Sequence, residues 1–362
     1  MRVVGMDVHV RNSFLYATEA DGQVICRGRV GNTLGEIAQF LAPLERGAQP
    51  VRAVLESTTN SRAIYRLMLQ YAREAGIALQ VQVLDARKLR IIAESVSKCD
   101  KQDAAVLAEL ARSNLKLPVC YMPDDQVFAL REHLRARTDL VRMRTMLKNR
   151  VHAVLHRRGV LQPFKDVFSK AGRQWLLQLQ LDEEGRVILD RYLALIDQLQ
   201  ETIKQSTASL HEQARAQRWC KPAALLQTMP GVGPITALTI LAELGDIARF
   251  KSRAAVSNFA GMVPVVRDSN DKHYAGGITH RGPSHLRAML VEAAWIGQAR
   301  VPQYAAIFGR VTARKGKQVA IVAVARRMLE DAWTMLTRDE VFRFVDVNVR
   351  TGEVVAGPGV AG

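Results

Sequence analysis

Hydrophobic and polar positions divide the chain into parts with different periodicity. Up to about residue 120, short apolar runs with strand spacing alternate with segments of helical spacing. The apolar runs predict strands near residues 2–8, 13–19, 23–30, 51–55 and 79–84. The helical segments predict helices near residues 33–46, 60–75, 86–95 and 100–111. This first part therefore has the pattern of an α/β domain.

The order of these elements narrows the class of fold. Three antiparallel strands, a helix, and then strand, helix and strand is the order of the ribonuclease H-like fold. Asp21-Gly22, between the second and third apolar runs, is a common hairpin signal. Thr33 with Glu36 three residues later is a capping-box pattern at the start of the first helix. In the ribonuclease H-like fold, carboxylates gather at adjoining strand ends and at the start of a late helix.

A long helical stretch follows. From Asp124 to about Arg158, and again from about Asp182 to Ala214, apolar residues recur close to heptad spacing. The connection between the two patterns contains Pro163, Gly172 and Trp175. Two long amphipathic helices joined in this way favour an antiparallel coiled-coil hairpin or a dimerising arm.

The third part begins with a turn rich in glycine and proline, Pro230-Gly231-Val232-Gly233-Pro234. Such a turn is typical of a helix-hairpin-helix module. Gly231 and Gly233 permit a tight turn, which leaves N–H groups at the next helix start free to hold a phosphate. The alternative is an ordinary turn that packs two helices together.

The remainder of the third part reads as a polar loop followed by helices. The stretch from Arg267 to Gly277 is rich in Ser, Asn, Asp and Gly, which predicts a surface loop with turns. Helices are predicted from Pro283 to Trp295 and from Gln318 to Leu336, with a basic loop over 314–317 before the second. The tail from Val341 is expected to be disordered.

These patterns predict an α/β domain followed by all-α segments. We expect an α/β domain over residues 1–122 and a helical arm for dimerisation and nucleic-acid binding over 123–216. A mostly helical C-terminal domain over 217–340 and a flexible tail over 341–362 complete the chain.

The charge balance points to an anionic partner. The 362 residues include 51 Lys and Arg against 35 Asp and Glu, a formal net charge of +16. Such a field favours nucleic acid first and an anionic membrane second. No run approaches the ~18–20 apolar residues of a membrane span, and no signal-peptide pattern opens the sequence. The four cysteines show no CxxC spacing, which argues against zinc and disulfides and favours the reducing cytoplasm of a prokaryote.

Four acids stand where strands end or a helix begins. Asp7 ends an apolar strand, Glu56 follows another, and Asp100 and Asp103 share one face of a helical turn. A buried carboxylate must be paired, protonated or bound to a metal. Oxygen ligands from separate elements suit Mg²⁺ or Mn²⁺ better than zinc. The alternatives are a surface aspartate at a strand end and, for the Asp pair, a solvated helix start.

Basic residues cluster in two places. Along the first long helix the charges are nearly all positive, which favours contact with a phosphate backbone over a solvated face. The candidates on this helix are Arg135, Arg142, Lys148, Arg150 and Arg157. In the C-terminal part the candidates are Arg267, Lys272, Arg281 and Arg287.

Ser269 lies among the C-terminal cations. A serine needs an activated hydroxyl and cationic stabilisation to attack a phosphodiester. From the chemistry of the residues alone, Ser269 is interpreted as a turn residue of a polar surface loop.

The layout as a whole resembles the DEDD transposases of bacterial insertion sequences, the insertion-sequence-one-ten family, and their relatives the Piv-type DNA invertases. The resemblance extends along almost the full chain. Its motifs are Gly5-Met6-Asp7, Pro230-Gly231-Val232-Gly233-Pro234, Phe259-Ala260-Gly261-Met262-Val263-Pro264, Gly277-Ile278-Thr279-His280-Arg281-Gly282 and the helix Val319–Leu329.

The resemblance implies roles for individual residues. Asp7, Glu56, Asp100 and Asp103 fall on the four acids of the family, which hold a divalent metal, Mg²⁺ or Mn²⁺. Ser269 falls on the nucleophilic serine of the family. The chain has Asp268-Ser269-Asn270 where the family often has Ser-Ser-Gly.

The resemblance also implies an architecture and a reaction. A RuvC-like N-terminal domain, a coiled coil and a C-terminal transposase domain would carry out recombination guided by a structured non-coding RNA, which pairs with donor and target DNA. The serine would form a covalent phosphoserine link at a site shared between domains, in a homodimer that assembles to a tetramer on DNA at the nucleoid. Two other readings remain open, a metal-dependent Holliday-junction-type endonuclease that activates water, and a non-catalytic RNA- or DNA-binding scaffold.

Overall fold

The computed structural model describes residues 1–45, 49–92, 100–113, 115–269 and 272–344. The chain divides into two compact units, Met1–Met122 and Pro123–Gly362. None of the helices in the described ranges is long and apolar enough to cross a membrane.

A mixed sheet forms the centre of the first unit. Its strands are β1 Arg2–Val8, β2 Asn12–Thr18, β3 Val24–Gly31, β4 Val51–Glu56 and β5 Leu79–Leu84. They lie in the order β3-β2-β1-β4-β5, with β1 antiparallel to β2 and parallel to β4. The five predicted strands are confirmed. The central strand β1 is buried along most of its length, which explains its nearly continuous run of apolar residues.

Helices cover both faces of this sheet. They are α1 Leu34–Leu41, α2 Ser61–Ala75, α3 Ala86–Ile92 and α4 Asp100–Arg112. Met6 packs with the cores of α1 and α2, whereas Val3 packs with Leu107 of α4. Because side chains alternate along a strand, these contacts place α4 on the face opposite to α1 and α2. Helix α1 is shorter than predicted and continues as a 3₁₀ turn at Ala42–Glu45.

Two long helices open the second unit. Helix α5 spans Asp125–Arg157, α6 spans Lys170–Gln178 and α7 spans Glu183–Arg215. Leu130 near the start of α5 packs with Leu210 near the end of α7, and Val151 packs with Leu193. The two long helices are therefore antiparallel, and their predicted extents are confirmed. Each begins with a capping aspartate.

Shorter helices and one hairpin complete the second unit. The helices are α8 Gln217–Gln227, α9 Pro234–Leu244, α10 Arg253–Phe259, α11 Ser284–Arg300, α12 Pro302–Lys315 and α13 Lys317–Arg338. The hairpin pairs β6 Pro264–Ser269 with β7 Lys272–Ile278. Val324, Ala325 and Met328 of α13 are fully buried at the centre of this core.

The structure corrects two predictions in this part of the chain and adds helices that were not predicted. A hairpin replaces the predicted polar loop, because backbone pairing from Pro264 to Ile278 organises a stretch whose composition is that of a turn. The predicted basic loop is wrong, since Arg314 and Lys315 end α12 and Lys317 begins α13. Helices α8, α10 and α12 were not predicted.

The beginning of the tail is packed rather than disordered. The backbone N–H of Phe342 donates to Thr228 Oγ1 at 2.9 Å. The rings of Phe342 and Phe344 contact buried Tyr304, with centroid distances of 5.9 and 6.5 Å. Apolar contacts thus extend the folded chain to residue 344, and the rest of the predicted tail lies outside the described residues.

Candidate active site and nucleic-acid interface

Two of the four acids lie side by side at the end of the sheet. In the parallel pair formed by β1 and β4, Met6 is opposite Leu55. The next residues along the two strands are Asp7 and Glu56. Parallel register therefore places both carboxylates at the same carboxyl edge of the sheet.

Helix α4 brings its first turn to the same edge. A Cβ on Gly5 would lie 2.0 Å from the carbonyl oxygen of Ala104, so the backbones of β1 and α4 are in close contact. At the other end, Arg52 at the start of β4 donates from Nη1 to the carbonyl of Ala111 at 3.1 Å. Helix α4 therefore runs antiparallel to β1 and β4. Its N-terminus, with Asp100 and Asp103, lies toward Asp7 and Glu56.

Burial and hydrogen bonding differ among these acids. The Asp7 side chain is 15% exposed, and its Oδ2 lies 3.1 Å from Nε2 of His9. Glu56 and Asp103 are half-buried, and the side chain of Asp100 lies outside the described part of the structure. Among the described side chains, which omit Asp100, no three His, Cys, Asp or Glu residues are grouped as a metal site. Carboxylate oxygens are the ligands that a hard divalent cation prefers, so the chemistry of Asp7, Glu56 and Asp103 fits such an ion.

Two asparagines brace the turn that follows β1. Asn32 Nδ2 donates to the carbonyl of His9 at 2.7 Å, and Asn60 Nδ2 donates to the same carbonyl at 2.6 Å. These bonds tie the end of β1 to residues beside β3 and α2. The position of Asp7 is thereby fixed from both sides.

The predicted nucleophile belongs to the hairpin of the second unit. Ser269 is the last residue of β6 and pairs with Lys272, the first residue of β7. Only two residues, 270–271, separate the strands, and they lie outside the described residues, as do the side chains of Arg267, Ser269 and Lys272. The backbone places Ser269 at the turn end of a β-hairpin.

A crossing of two segments anchors the base of this hairpin. The N–H of His280 donates to the carbonyl of Gly261 at 3.2 Å. Gly261 has a φ of +66°, and a Cβ there would lie 2.2 Å from the carbonyl oxygen of Arg281. Gly282 has a φ of +124°, and its Cβ would lie 2.0 Å from the carbonyl oxygen of Phe259. Only glycine fits this crossing, which joins two of the motifs found in the sequence.

Comparison with known proteins assigns the chain to a family. A transposase family model of the DEDD IS110 type matches residues 4–158, and the model of the IS116/IS110/IS902 transposase family matches residues 223–308. The chain belongs to the IS110 family of DEDD transposases. The resemblance to the insertion-sequence-one-ten transposases is confirmed.

Three transposases illustrate the similarity. The chain is 26% identical over 359 residues to the transposase for insertion sequence element IS1111A of Coxiella burnetii, covering 95% of this chain and 92% of that one. It is 26% identical to the transposase for IS1328 of Yersinia enterocolitica, covering 94% and 98%. It is 24% identical to the transposase for IS1533 of Leptospira borgpetersenii, covering 88% and 90%. The protein is thus a transposase, an enzyme that binds, cleaves and transfers DNA.

The basic residues of α5 in this transposase have different surroundings. Arg142, Arg150 and Arg157 are exposed. Lys148 is half-buried, with its ammonium 4.6 Å from the centroid of the Phe168 ring, a cation–π contact. The exposed arginines are therefore the more accessible to a phosphate backbone.

Two predicted nucleic-acid contacts are held by protein groups. Arg135 donates from Nη2 to Glu243 Oε1 at 2.9 Å. Arg287 donates from Nη1 to the carbonyls of Ala260 and Gly282, both at 3.0 Å. Arg287 thus braces the crossing at the base of the hairpin, while Arg281 beside it is exposed. Burial lowers the pKa of Arg287 from its usual high value.

The two glycines of the predicted helix-hairpin-helix turn also differ. Gly231 has a φ of +91°, and a Cβ there would lie 2.4 Å from the carbonyl oxygen of Ala293. Gly233 has a φ of −90°, is exposed, and has no atom within 4 Å of a Cβ position. Gly231 is therefore required for packing against α11, whereas Gly233 leaves open space before the first turn of α9.

Glu243 is a buried acid of the transposase that was not singled out from the sequence. The side chain of Glu243 is 4% exposed, although it lies in the otherwise apolar helix α9. The sequence does carry a signal for Glu243, because it is a single carboxylate in an apolar element, the same feature that identified Asp7. What the sequence did not indicate is its partner, Arg135, which is 108 residues away.

Proposed function

We propose that this transposase cuts and rejoins donor and target DNA through a serine-linked intermediate. Ser269 is the proposed nucleophile, and Asp7, Glu56, Asp100 and Asp103 are the proposed metal ligands. The observation that supports the proposal is the arrangement of β1, β4 and α4, in which the strand ends that carry Asp7 and Glu56 and the first turn of α4 lie at one edge of the sheet. An acid cluster of this kind is suited to phosphodiester chemistry.

The residues of the chain have separate tasks in this mechanism. The hydroxyl oxygen of Ser269 attacks the scissile phosphorus while the bond from phosphorus to the leaving sugar oxygen breaks. The phosphoserine link keeps the energy of the broken bond for rejoining. The four carboxylates would hold Mg²⁺ or Mn²⁺, which polarises the phosphate and stabilises the charge that develops on it.

Guidance and assembly belong to the same proposal. The acids lie in the first unit and the serine in the second. We infer a composite site in which two protomers contribute different units, within a homodimer that forms a tetramer on DNA. A structured RNA encoded by the element would pair with donor and target DNA, and the net charge of +16 provides the counter-charge for both nucleic acids. The setting would be the bacterial nucleoid.

Covalent trapping tests the chemistry. The protein and its flanking RNA are incubated with nicked, labelled target DNA and Mg²⁺, and the products are separated on a denaturing gel. We expect a protein–DNA band that disappears in EDTA and in Ser269→Ala. Ser209→Ala, a serine substitution in α7 away from the hairpin, should keep the band.

Other products would indicate another function. Cleaved DNA with free 5′-phosphate ends and no adduct would indicate a junction endonuclease that activates water. Neither product, with RNA confirmed as bound, would favour a scaffold.

The acids have their own test. Asp7→Asn, Glu56→Gln and Asp103→Asn should each abolish the adduct while nucleic-acid binding is retained. Glu74→Gln, on the far part of α2, should behave as the unaltered protein. Loss of binding in all three acid variants would contradict their assignment as metal ligands.

A further inference from the structure

A polar pocket of about 330 Å³ lies within the second unit, and none of the residues proposed above as catalytic is among the described residues that line it. Helix α5, the end of α9 and the start of α11 form its walls. Its charged side chains are Arg135, Asp139, Arg142 and Glu243, and the polar side chains of Thr138, Ser284 and His285 line it as well. The sequence motif His280-Arg281-Gly282 leads directly into it.

The start of α11 gives the pocket a set of free donors. Helix α11 has 17 residues, and its N-cap residue, Pro283, offers no side-chain cap. No acidic residue lies in the first turn. The N–H groups of this turn have no acceptor within the helix, and the helix dipole places positive potential there. The exposed hydroxyl of Ser284 stands at the same point.

Of the two arginines that line the pocket, one is paired with a buried carboxylate and the other is exposed. Arg135 is bonded to the buried carboxylate of Glu243, which also lies 3.9 Å from Arg131. Glu243 therefore has its charge balanced within the protein. Arg142 is 64% exposed, and its pair with Asp139 at 3.1 Å is a surface contact within one helix. Such pairs are weak, so Arg142 can turn toward a ligand.

His285 supplies an independent sign of an incomplete site. Its ring lines the pocket, and the residue is only 8% exposed. The Thr138 hydroxyl donates to the carbonyl of Leu134 at 2.9 Å and lies 2.7 Å from His285 Nε2. Because that hydroxyl proton is already used, Nε2 carries a hydrogen and donates to Thr138. Nδ1 is buried and has no hydrogen-bond partner among the described residues.

The charged neighbours of His285 explain how the site could be completed. Burial is the largest influence on the His285 ring and lowers its pKa. Glu243 on α9 and Asp139 on α5 favour a positively charged ring, whereas Arg135 and Arg142 on α5 disfavour one. A further negative group, bound in the pocket beside Glu243 and Asp139, would offset that burial. The ring could then be protonated at Nδ1 and act as a donor there as well.

We propose that this pocket binds one phosphate group of a nucleic-acid backbone. The first-turn N–H groups of α11, the Ser284 hydroxyl and Arg142 donate to the phosphate oxygens, and His285 joins them in its protonated form. Two carboxylates also line the pocket, and each is paired with an arginine, Glu243 with Arg135 and Asp139 with Arg142. The other groups named above are donors or become donors, so the ligand that fits them is an acceptor that carries negative charge. This inference does not depend on the chemistry proposed for Ser269 and the four acids.

Charge placed at the start of α11 tests the proposal. Ser284→Asp adds a carboxylate in the first turn of α11, where the helix dipole favours a negative charge, so the fold is retained while a phosphate is repelled. Gln217→Asp is the matched control, because it adds the same charge at the exposed first position of α8, which also lacks a side-chain cap. Binding of labelled duplex DNA and of labelled structured RNA is measured separately with the full-length variants. Thermal unfolding confirms that each variant is folded.

We expect Ser284→Asp to weaken binding at least tenfold more than Gln217→Asp does. A loss with DNA only, with RNA only or with both supports the pocket and identifies the source of the phosphate. Equal losses of binding in the two variants would show that only the net charge of the protein matters, and would overturn the proposal. Unchanged binding in Ser284→Asp would overturn it as well.

The pH dependence of binding tests the part assigned to His285. His285→Gln keeps a donor for Thr138 and removes the titrating ring. Between pH 8 and pH 6, binding by the unaltered protein should strengthen more than binding by His285→Gln. The same variant in an Asp7→Asn background should show the same difference, since the pocket acts independently of the acids. Parallel pH profiles would contradict the assignment of His285.

Discussion

At the scale of single residues, Gly231 and Gly233 provide a sharp comparison. Gly231→Ala places a Cβ at a φ of +91° and 2.4 Å from the carbonyl oxygen of Ala293, a backbone atom that cannot move cheaply. We expect the free energy of unfolding to fall by about 1–3 kcal/mol. Gly233→Ala meets open space at a φ of −90° and should change stability by less than about 0.5–1 kcal/mol. Urea denaturation of both variants measures the difference.

Gly233→Ala has a second use because it also tests phosphate binding at α9. If the first turn of α9 approaches a phosphate, the new methyl group should weaken DNA binding with little change in stability. Equal stability losses in the two variants would contradict the roles given to the two glycines.

The absence of a side chain at Gly5 allows α4, which carries Asp103, to pack closely against β1, which carries Asp7. Gly5→Ala places a Cβ 2.0 Å from the Ala104 carbonyl, so α4 must move away from β1 and carry Asp103 with it. We expect a stability loss of about 1–3 kcal/mol, and a loss of DNA cleavage larger than the stability change explains. Gly28→Ala in β3 is the control, because the nearest atom to its Cβ is Phe40 Cε2 at 4.0 Å. Full cleavage by Gly5→Ala would contradict this account.

At the scale of elements, Asp182 makes the stability of the helical hairpin formed by α5 and α7 depend on pH. It caps α7 through a 3.2 Å bond from the N–H of Gly185 and pairs with Arg158 just beyond the end of α5. The Arg158 hydrogen bond is the main cause that lowers the pKa of Asp182 to about 2. Because the pKa of Asp182 is lower in the folded protein than the unfolded value of 3.8, its ionised carboxylate stabilises the fold at pH values above 3.8. This stabilisation is lost as the pH falls toward 2.

Asp182→Asn should isolate that contribution. Asparagine also caps helices, so the variant removes the charge and keeps the cap. Thermal unfolding between pH 5 and pH 2.5 should show a smaller decline for the variant than for the unaltered protein. Identical declines would show that the Arg158 pair does not contribute to stability.

Local patterns predicted the elements that local contacts form. The strands of the first unit and the helices α5 and α7 follow from apolar spacing alone, because the central strand β1 is buried on both faces and each long helix buries one stripe. Helix α12 was not predicted, although Pro302 marks its start. The helix is held by the buried side chain of Tyr304, whose hydroxyl donates to Asp331 on α13 at 3.0 Å, a contact that the spacing of apolar residues does not reveal. The hairpin was missed because its strands pair across a turn of polar composition.

The candidate site shows the same division. Asp7 and Glu56 were found because each ends an apolar strand, whereas their approach to α4 depends on the bare backbone at Gly5. Arg135 and Arg287 were predicted as nucleic-acid contacts from charge alone. Their protein partners, Glu243 and the carbonyls at the hairpin base, come from distant or crossing segments that spacing does not reveal.

At the scale of the whole molecule, the net charge of +16 makes nucleic-acid binding sensitive to salt. Each phosphate neutralised by a side chain lowers the slope of log K against log salt by roughly 0.9. If Arg142, Arg150 and Arg157 of α5 each neutralise one phosphate, these three contacts alone should weaken binding about 40-fold between 50 and 200 mM KCl. Fluorescence polarisation with an unrelated DNA duplex measures the slope.

Replacing the three arginines by glutamine separates this surface from general charge. We expect the magnitude of the slope to fall by about 2.7 in the α5 triple variant. The control replaces Arg191, Lys204 and Arg215, exposed residues of α7, where acidic residues alternate with basic ones. Because these cations stand on a helix of mixed charge, and Lys204 already pairs with Glu201 at 3.9 Å, the control should change the slope far less. Equal changes would mean that the nucleic acid responds to the total charge of the protein and that α5 is not a specific contact surface.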